Sequence, residues 1–113
     1  MFSGEEHIVI VGLGVTGLSC ARFLASRGVD FTVMDSREQP PGLAALQGIE
    51  HLREVVTGRF DREKMRAASQ VWLSPGVALA HPDIAAVRDR VAIRGDVDVF
   101  SQLAKAPIVA ITG

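Results

Sequence analysis

Gly12, Gly14 and Gly17 stand in the run Gly-Leu-Gly-Val-Thr-Gly, directly after the apolar stretch HIVIV. That spacing suits phosphate chemistry. Gly12 permits a tight turn, Gly14 lets a phosphate approach the backbone, and Gly17 lets a following helix pack close to the strand. N–H groups at the start of that helix, with its positive dipole end, then favour a diphosphate. The competing reading is a glycine-rich turn without a ligand. Asp35 closes the next apolar run, DFTVMD, 18 residues beyond Gly17. Its carboxylate can accept hydrogen bonds from ribose hydroxyls or a base edge, or it can cap the turn that follows. Arg37 carries a planar guanidinium that can stack on a base, reach a phosphate, or sit solvated in a loop. Ser74, Pro75 and Gly76 follow the later run QVWL, as a ligand-binding loop or as an ordinary turn.

Other residue types offer less. His7, His51 and His81 have no metal-ligand spacing, and the single cysteine adds no ligand set. His81 before Pro82 reads as support for a helix start. Cys20 reads as a small buried residue rather than a nucleophile, and Trp72 as core. Asp96 and Asp98, two apart on a helix, do not share a face and read as a cap and a first-turn acid. Ser19 has no evident base.

The elements that must position these groups alternate. HIVIV is a continuous apolar run of the kind buried on both faces of a parallel sheet. Beyond Gly14, the residues Leu18, Ala21, Leu24 and Ala25 recur at helical spacing, and Gly28 supplies a stop. DFTVMD is a second strand; SREQPPGL is a loop broken by Pro40 and Pro41. GIEHLREVVTG is a further strand with an irregular approach. DREKMRAAS is a short helix over residues 62–68 with Asp61 as its N-cap. QVWLS is a strand, and a turn then leads to a helix with Pro82 at its first position and Asp83 in its first turn. VAIRG is a strand, DVDVFSQLAK a helix, and APIVAITG a closing strand. Such alternation predicts an α/β fold: a Rossmann-like, doubly wound parallel sheet of about five strands with helices on both faces.

Composition bounds the function. With 113 residues the chain suffices for one small domain. Twelve basic and thirteen acidic residues leave a net charge of −1, so nothing marks a nucleic-acid or anionic-membrane surface. One cysteine allows no internal disulfide, and the amino-terminal apolar run is too short for a leader or a span. A cytoplasmic protein is expected. No repeat or low-complexity tract interrupts the chain; the one shift in organisation falls near Arg94 and Gly95.

The blocks IVGLGVTGLSCARFL, VMDSR, LSPGVALAHP, GDVDVF and APIVAITG, in this order, resemble the N-terminal domain of the Mur ligases, in particular the branch that adds D-glutamate to UDP-N-acetylmuramoyl-L-alanine. The resemblance covers nearly the whole chain. It implies a Rossmann-like domain that binds the UDP part of a peptidoglycan precursor instead of a dinucleotide. By motif it implies diphosphate contacts at Gly14, Val15, Thr16 and Gly17. It also implies uracil and phosphate contacts at Asp35, Ser36 and Arg37, and a sugar-nucleotide channel along Ser74, Pro75 and Gly76. The parent enzyme is implied to use ATP and Mg2+, with residues 1–95 as the UDP-binding domain. Residues 96–113 would be a connecting helix and the first strand of a central ATP-binding domain. PIVAITG precedes a phosphate-cradling loop in such proteins, and no lysine of that loop follows here. This piece is therefore expected to bind, as a monomer, and not to catalyse. Two rival readings are an NAD(H)-binding domain of an oxidoreductase and a non-catalytic nucleotide-sensing module.

Overall fold

Residues 7–40, 42–74 and 81–94 are described by a computed structural model. The apolar runs become five strands: β1 (His7–Val11), β2 (Asp30–Asp35), β3 (Leu52–Thr57), β4 (Gln70–Leu73) and β5 (Ala92–Arg94). They form one sheet in the order β3-β2-β1-β4-β5, and every pairing is parallel. Three helices cross between them: α1 (Val15–Ser26), α2 (Arg62–Ala67) and α3 (Pro82–Val87). The chain starts in the central strand, winds outward through β2 and β3, and returns to the other side of β1 as β4. The strand order therefore reverses at β1, the place where sheets of this kind form a crevice beyond the carboxyl ends of their strands.

The two-residue period of a strand explains why HIVIV is apolar throughout. Ile8 and Ile10 face one way, packing with Phe31, Val33, Trp72 and the α1 residues Cys20, Phe23 and Leu24. Val9 and Val11 face the other way, packing with Met34, Val71, Met65, Ile84 and Val87. Both faces are covered, as a parallel sheet requires.

Local chemistry ends each helix. At the carboxyl end of α1, Gly28 sits at φ 71°, its N–H donates to the Ala25 carbonyl, and the Val29 N–H reaches back to Leu24. That paired pattern closes the last turn around a left-handed glycine. Asp61 caps α2 by accepting from the Lys64 N–H at 3.1 Å. The helix stops at Ala67, one residue short of the predicted 62–68, because Ala68 is extended and Ser69 is captured by the start of β1. The Ser69 N–H donates to the His7 carbonyl at 2.7 Å, and its hydroxyl accepts from the His7 N–H at 3.1 Å. Pro82 opens α3, and His81 Nδ1 accepts from the Asp83 N–H at 3.1 Å.

The irregular approach expected before β3 is present. His51 takes φ 69°, and the register against β2 shifts between Phe31 and Thr32. Arg53 and Glu54 on this outer strand are exposed and pair with Asp30 and Lys64. Just beyond the predicted loop SREQPPGL lies a 3₁₀ turn, Ala44–Leu46, which periodicity did not reveal; it tucks Leu46 into the core. The helix and strand expected within residues 96–113, and the boundary near Gly95, lie outside the described residues.

Removing the α2 cap tests this account. Asp61→Ala is expected to lower stability by about 1 kcal/mol, while Asp61→Asn retains most of it. Urea denaturation reads both, as a shift of midpoint at constant slope.

Candidate functional site

At the carboxyl end of β1 the chain turns sharply. Gly12 adopts φ 96°, a left-handed conformation that favours glycine. Its N–H donates to the Met34 carbonyl at 2.7 Å, and its own carbonyl accepts the Ser74 hydroxyl at 2.7 Å. Strands β1, β2 and β4 are thus tied together at one corner. Leu13 follows with its side chain fully buried, and Gly42 from the loop after β2 packs against it.

Gly14 is the N-cap of α1, with no side chain to accept a bond, and its carbonyl takes the Leu18 N–H at 2.9 Å. No acid lies in the first turn. The N–H groups of Val15, Thr16 and Gly17 therefore start the helix without intrahelical acceptors, at its positive end. Among the described residues, a Cβ built on Gly14 meets nothing within 4 Å. A Cβ on Gly17 lands on the Gly12 carbonyl oxygen and within 3.4 Å of the Ser74 hydroxyl. A side chain therefore has room at Gly14 and none at Gly17, where the helix touches the turn.

Asp35 ends β2 with only 3% of its surface exposed. Its Oδ2 accepts the Leu13 N–H at 2.8 Å and Arg37 Nη2 at 2.7 Å. Its Oδ1 accepts the Arg37 backbone N–H at 2.8 Å and Arg37 Nε at 2.9 Å. Burial alone pushes such a carboxyl up, yet the hydrogen bonds from Arg37 and Leu13 outweigh it and hold the group at about 2. Of the roles the sequence left open for Asp35, local capping is the one this geometry displays. Arg37 is correspondingly not a loosely solvated arginine. Its guanidinium is forked onto Asp35 while half of the side chain remains exposed, and the Gly58 N–H donates to its carbonyl at 3.1 Å.

The corner thus gathers Gly14, Gly17, Asp35, Arg37 and Ser74, with the backbone of Val15 and Thr16 opening α1. Ser36 is exposed beside them. Pro75 and Gly76 lie outside the described residues, as do Asp96 and Asp98. Sequence reasoning missed Leu13 and Gly58. An apolar residue between two turn glycines was the available sign that Leu13 points inward and leaves its N–H for a neighbour.

Histidines and the cysteine serve the frame. His7 Nε2 meets the Thr32 hydroxyl at 2.9 Å, and partial burial lowers the pKa of this imidazole. His51 Nδ1 pairs with Asp30 at 3.1 Å. Burial pushes the Cys20 thiol up to about 12, which leaves no thiolate for nucleophilic work. Trp72 is 1% exposed and belongs to the core.

The chain is similar to known proteins over nearly its whole length. The family model described as Mur ligase MurD-like, N-terminal domain, matches residues 6–95. The chain is 55% identical over 109 residues to UDP-N-acetylmuramoylalanine--D-glutamate ligase of Hahella chejuensis, covering 96% of this chain and 24% of that protein. The enzyme of the same name from Escherichia coli K12 is 47% identical over 110 residues, again 96% of this chain and 24% of the relative. That of Pseudomonas aeruginosa is 43% identical over 114 residues, covering 100% and 25% respectively. The chain spans about a quarter of the length of these curated relatives.

Two measurements follow from the corner. Gly14→Val should leave the thermal midpoint almost unchanged, because its first side-chain atom meets no described residue. Gly17→Val should instead lower stability by roughly 1–3 kcal/mol, because its side chain wedges α1 off the turn. Equal loss of stability from both substitutions would contradict this difference. Asp35 sets an acid dependence. A folded value of about 2 against an ordinary 3.8 means its contribution is complete above about pH 4 and is lost as pH falls through 2. The amount is about 2 kcal/mol. Asp35→Asn should flatten the stability profile between pH 4 and 2; an unchanged acid slope in that variant would assign the effect elsewhere.

Proposed function

This chain belongs to the MurD-like N-terminal domains of the Mur ligases, and from that membership we propose that it grips the UDP end of UDP-N-acetylmuramoyl-L-alanine. The parent protein is then an ATP-dependent ligase that joins D-glutamate to this precursor in peptidoglycan synthesis. The observation that carries the reading is the uncapped start of α1, open at Gly14, beside an arginine held in place at Arg37. The N–H groups from Gly14 through Val15, Thr16 and Gly17 receive the diphosphate. Ser36 and Arg37, with Asp35 behind them, meet the uracil and the adjoining phosphate. Ser74, Pro75 and Gly76 line the path of the sugar.

In this reading, residues 1–95 form the UDP-binding domain, and residues 96–113 lead into a central ATP-binding domain. ATP and Mg2+ supply activation of the alanyl carboxylate in the parent enzyme; they are assigned to that central domain, and none is assigned to the corner described above. The part played by this chain is orientation. Binding a remote, non-reacting handle places the distant carboxylate for reaction, and such placement lowers the barrier without contact at the reacting atoms. The same reading puts the protein in the cytoplasm as a monomer, working on a soluble nucleotide without nucleic acid. Among the described residues, no helix is long and apolar enough to cross a membrane.

A thermal-shift titration tests the assignment. UDP-N-acetylmuramoyl-L-alanine is expected to raise the melting temperature more than NADH at equal concentration. Protection by NADH with none from the UDP compound would overturn it.

A further inference from the structure

In sheets of this topology the acid that ends the second strand accepts hydrogen bonds from the hydroxyls of a dinucleotide's ribose. Here that acid has nothing left to accept with. An ionised carboxylate has about four acceptor positions. In Asp35 they are taken by the Leu13 N–H, the Arg37 N–H, Arg37 Nε and Arg37 Nη2, all between 2.7 and 2.9 Å. The carboxylate is buried, whereas the Arg37 side chain is 54% exposed and covers it on the solvent side.

The backbone of Arg37 is held from two sides. Its N–H is held by Asp35, and its carbonyl accepts the Gly58 N–H. An antiparallel bridge between Asp35 and Arg59 pins the same corner from the far side. Two of the five guanidinium N–H groups are spent on Asp35, leaving three that can serve only acceptors. What a ligand meets at the end of β2 is therefore a fixed cation with N–H groups, not a carboxylate.

We infer that Asp35 is a positioning residue and that the Asp35–Arg37 fork sets the choice of nucleotide. The fork replaces the acceptor that binds an unmodified ribose diol by a rigid donor suited to carbonyl or phosphate oxygens. This rests on the uridine-nucleotide reading for the identity of the accepted ligand. The rejection of dinucleotides follows from the fork alone.

Removing the arginine should expose the acid. In Arg37→Ala, Asp35 keeps the Leu13 and residue-37 backbone N–H groups and regains two acceptor positions facing the crevice. Calorimetric titration of the 113-residue chain with NADH and with UDP separates the cases. NADH is expected to bind Arg37→Ala at least tenfold more tightly than the unaltered chain, and UDP at least tenfold more weakly. Asp35→Asn, which keeps the shape but loses the charged fork, should weaken UDP similarly without any increase for NADH. A general loosening of the corner would not produce tighter NADH binding in one variant alone. Unchanged NADH affinity in a folded Arg37→Ala chain overturns the inference. Arg37→Met, which retains the aliphatic stem, is read by the same criterion should the alanine variant not fold. If the unaltered chain fails to bind UDP, the uridine reading falls while the NADH comparison still decides the role of the fork.

Discussion

The contact between Gly17 and the carbonyl of Gly12 is the constraint on which the rest of the corner depends. No side chain fits between them, so α1 begins against the turn instead of beside it. That proximity aims the first-turn N–H groups into the crevice where the strand order reverses. It also leaves the Gly12 carbonyl facing Ser74, whose hydroxyl carries the turn across to β4. A bulkier residue at either place would separate the helix from the sheet and move the ligand-facing backbone with it.

Electrostatics at this corner is arranged in two depths. Beneath lies a carboxylate whose charge is neutralised by hydrogen bonds from one backbone N–H across the turn and three groups of Arg37. Above lie the positive end of α1 and the outward part of the guanidinium. Burying the acid costs solvation, and the full set of donors offsets that cost. The exposed character of the site is then positive, although the chain as a whole is not.

Much of this was legible in the residues themselves. The uninterrupted apolar run of β1 announced a strand covered on both faces, and Gly28, Asp61 and Pro82 marked helix ends that the structure places where their backbone chemistry requires. The five blocks that resemble Mur ligases pointed to the family that the chain proves to belong to. What could not be read were relations between distant residues. Ser74 and Gly12 are 62 positions apart, and no local pattern encodes their bond. The saturation of Asp35 depends on a side-chain rotamer of Arg37 and on a backbone N–H donated from β1's turn. The early end of α2 at Ala67 was set by β1 capturing Ser69, a tertiary demand that outranks helix propensity.

The irregular path into β3 has a consequence for the molecule's neighbours. A straight, apolar outer strand is a template on which another chain can add itself. β3 offers neither straightness nor grease. The left-handed His51 and the slipped register bend its entry, and Arg53 and Glu54 stand on its exposed stretch, each already engaged with an opposite charge from within the same fold. A second copy approaching this rim would meet a bent entry and charged side chains in place of a straight apolar ladder. The features that made this segment the hardest to read as a strand are the ones that guard it against amyloid-like pairing.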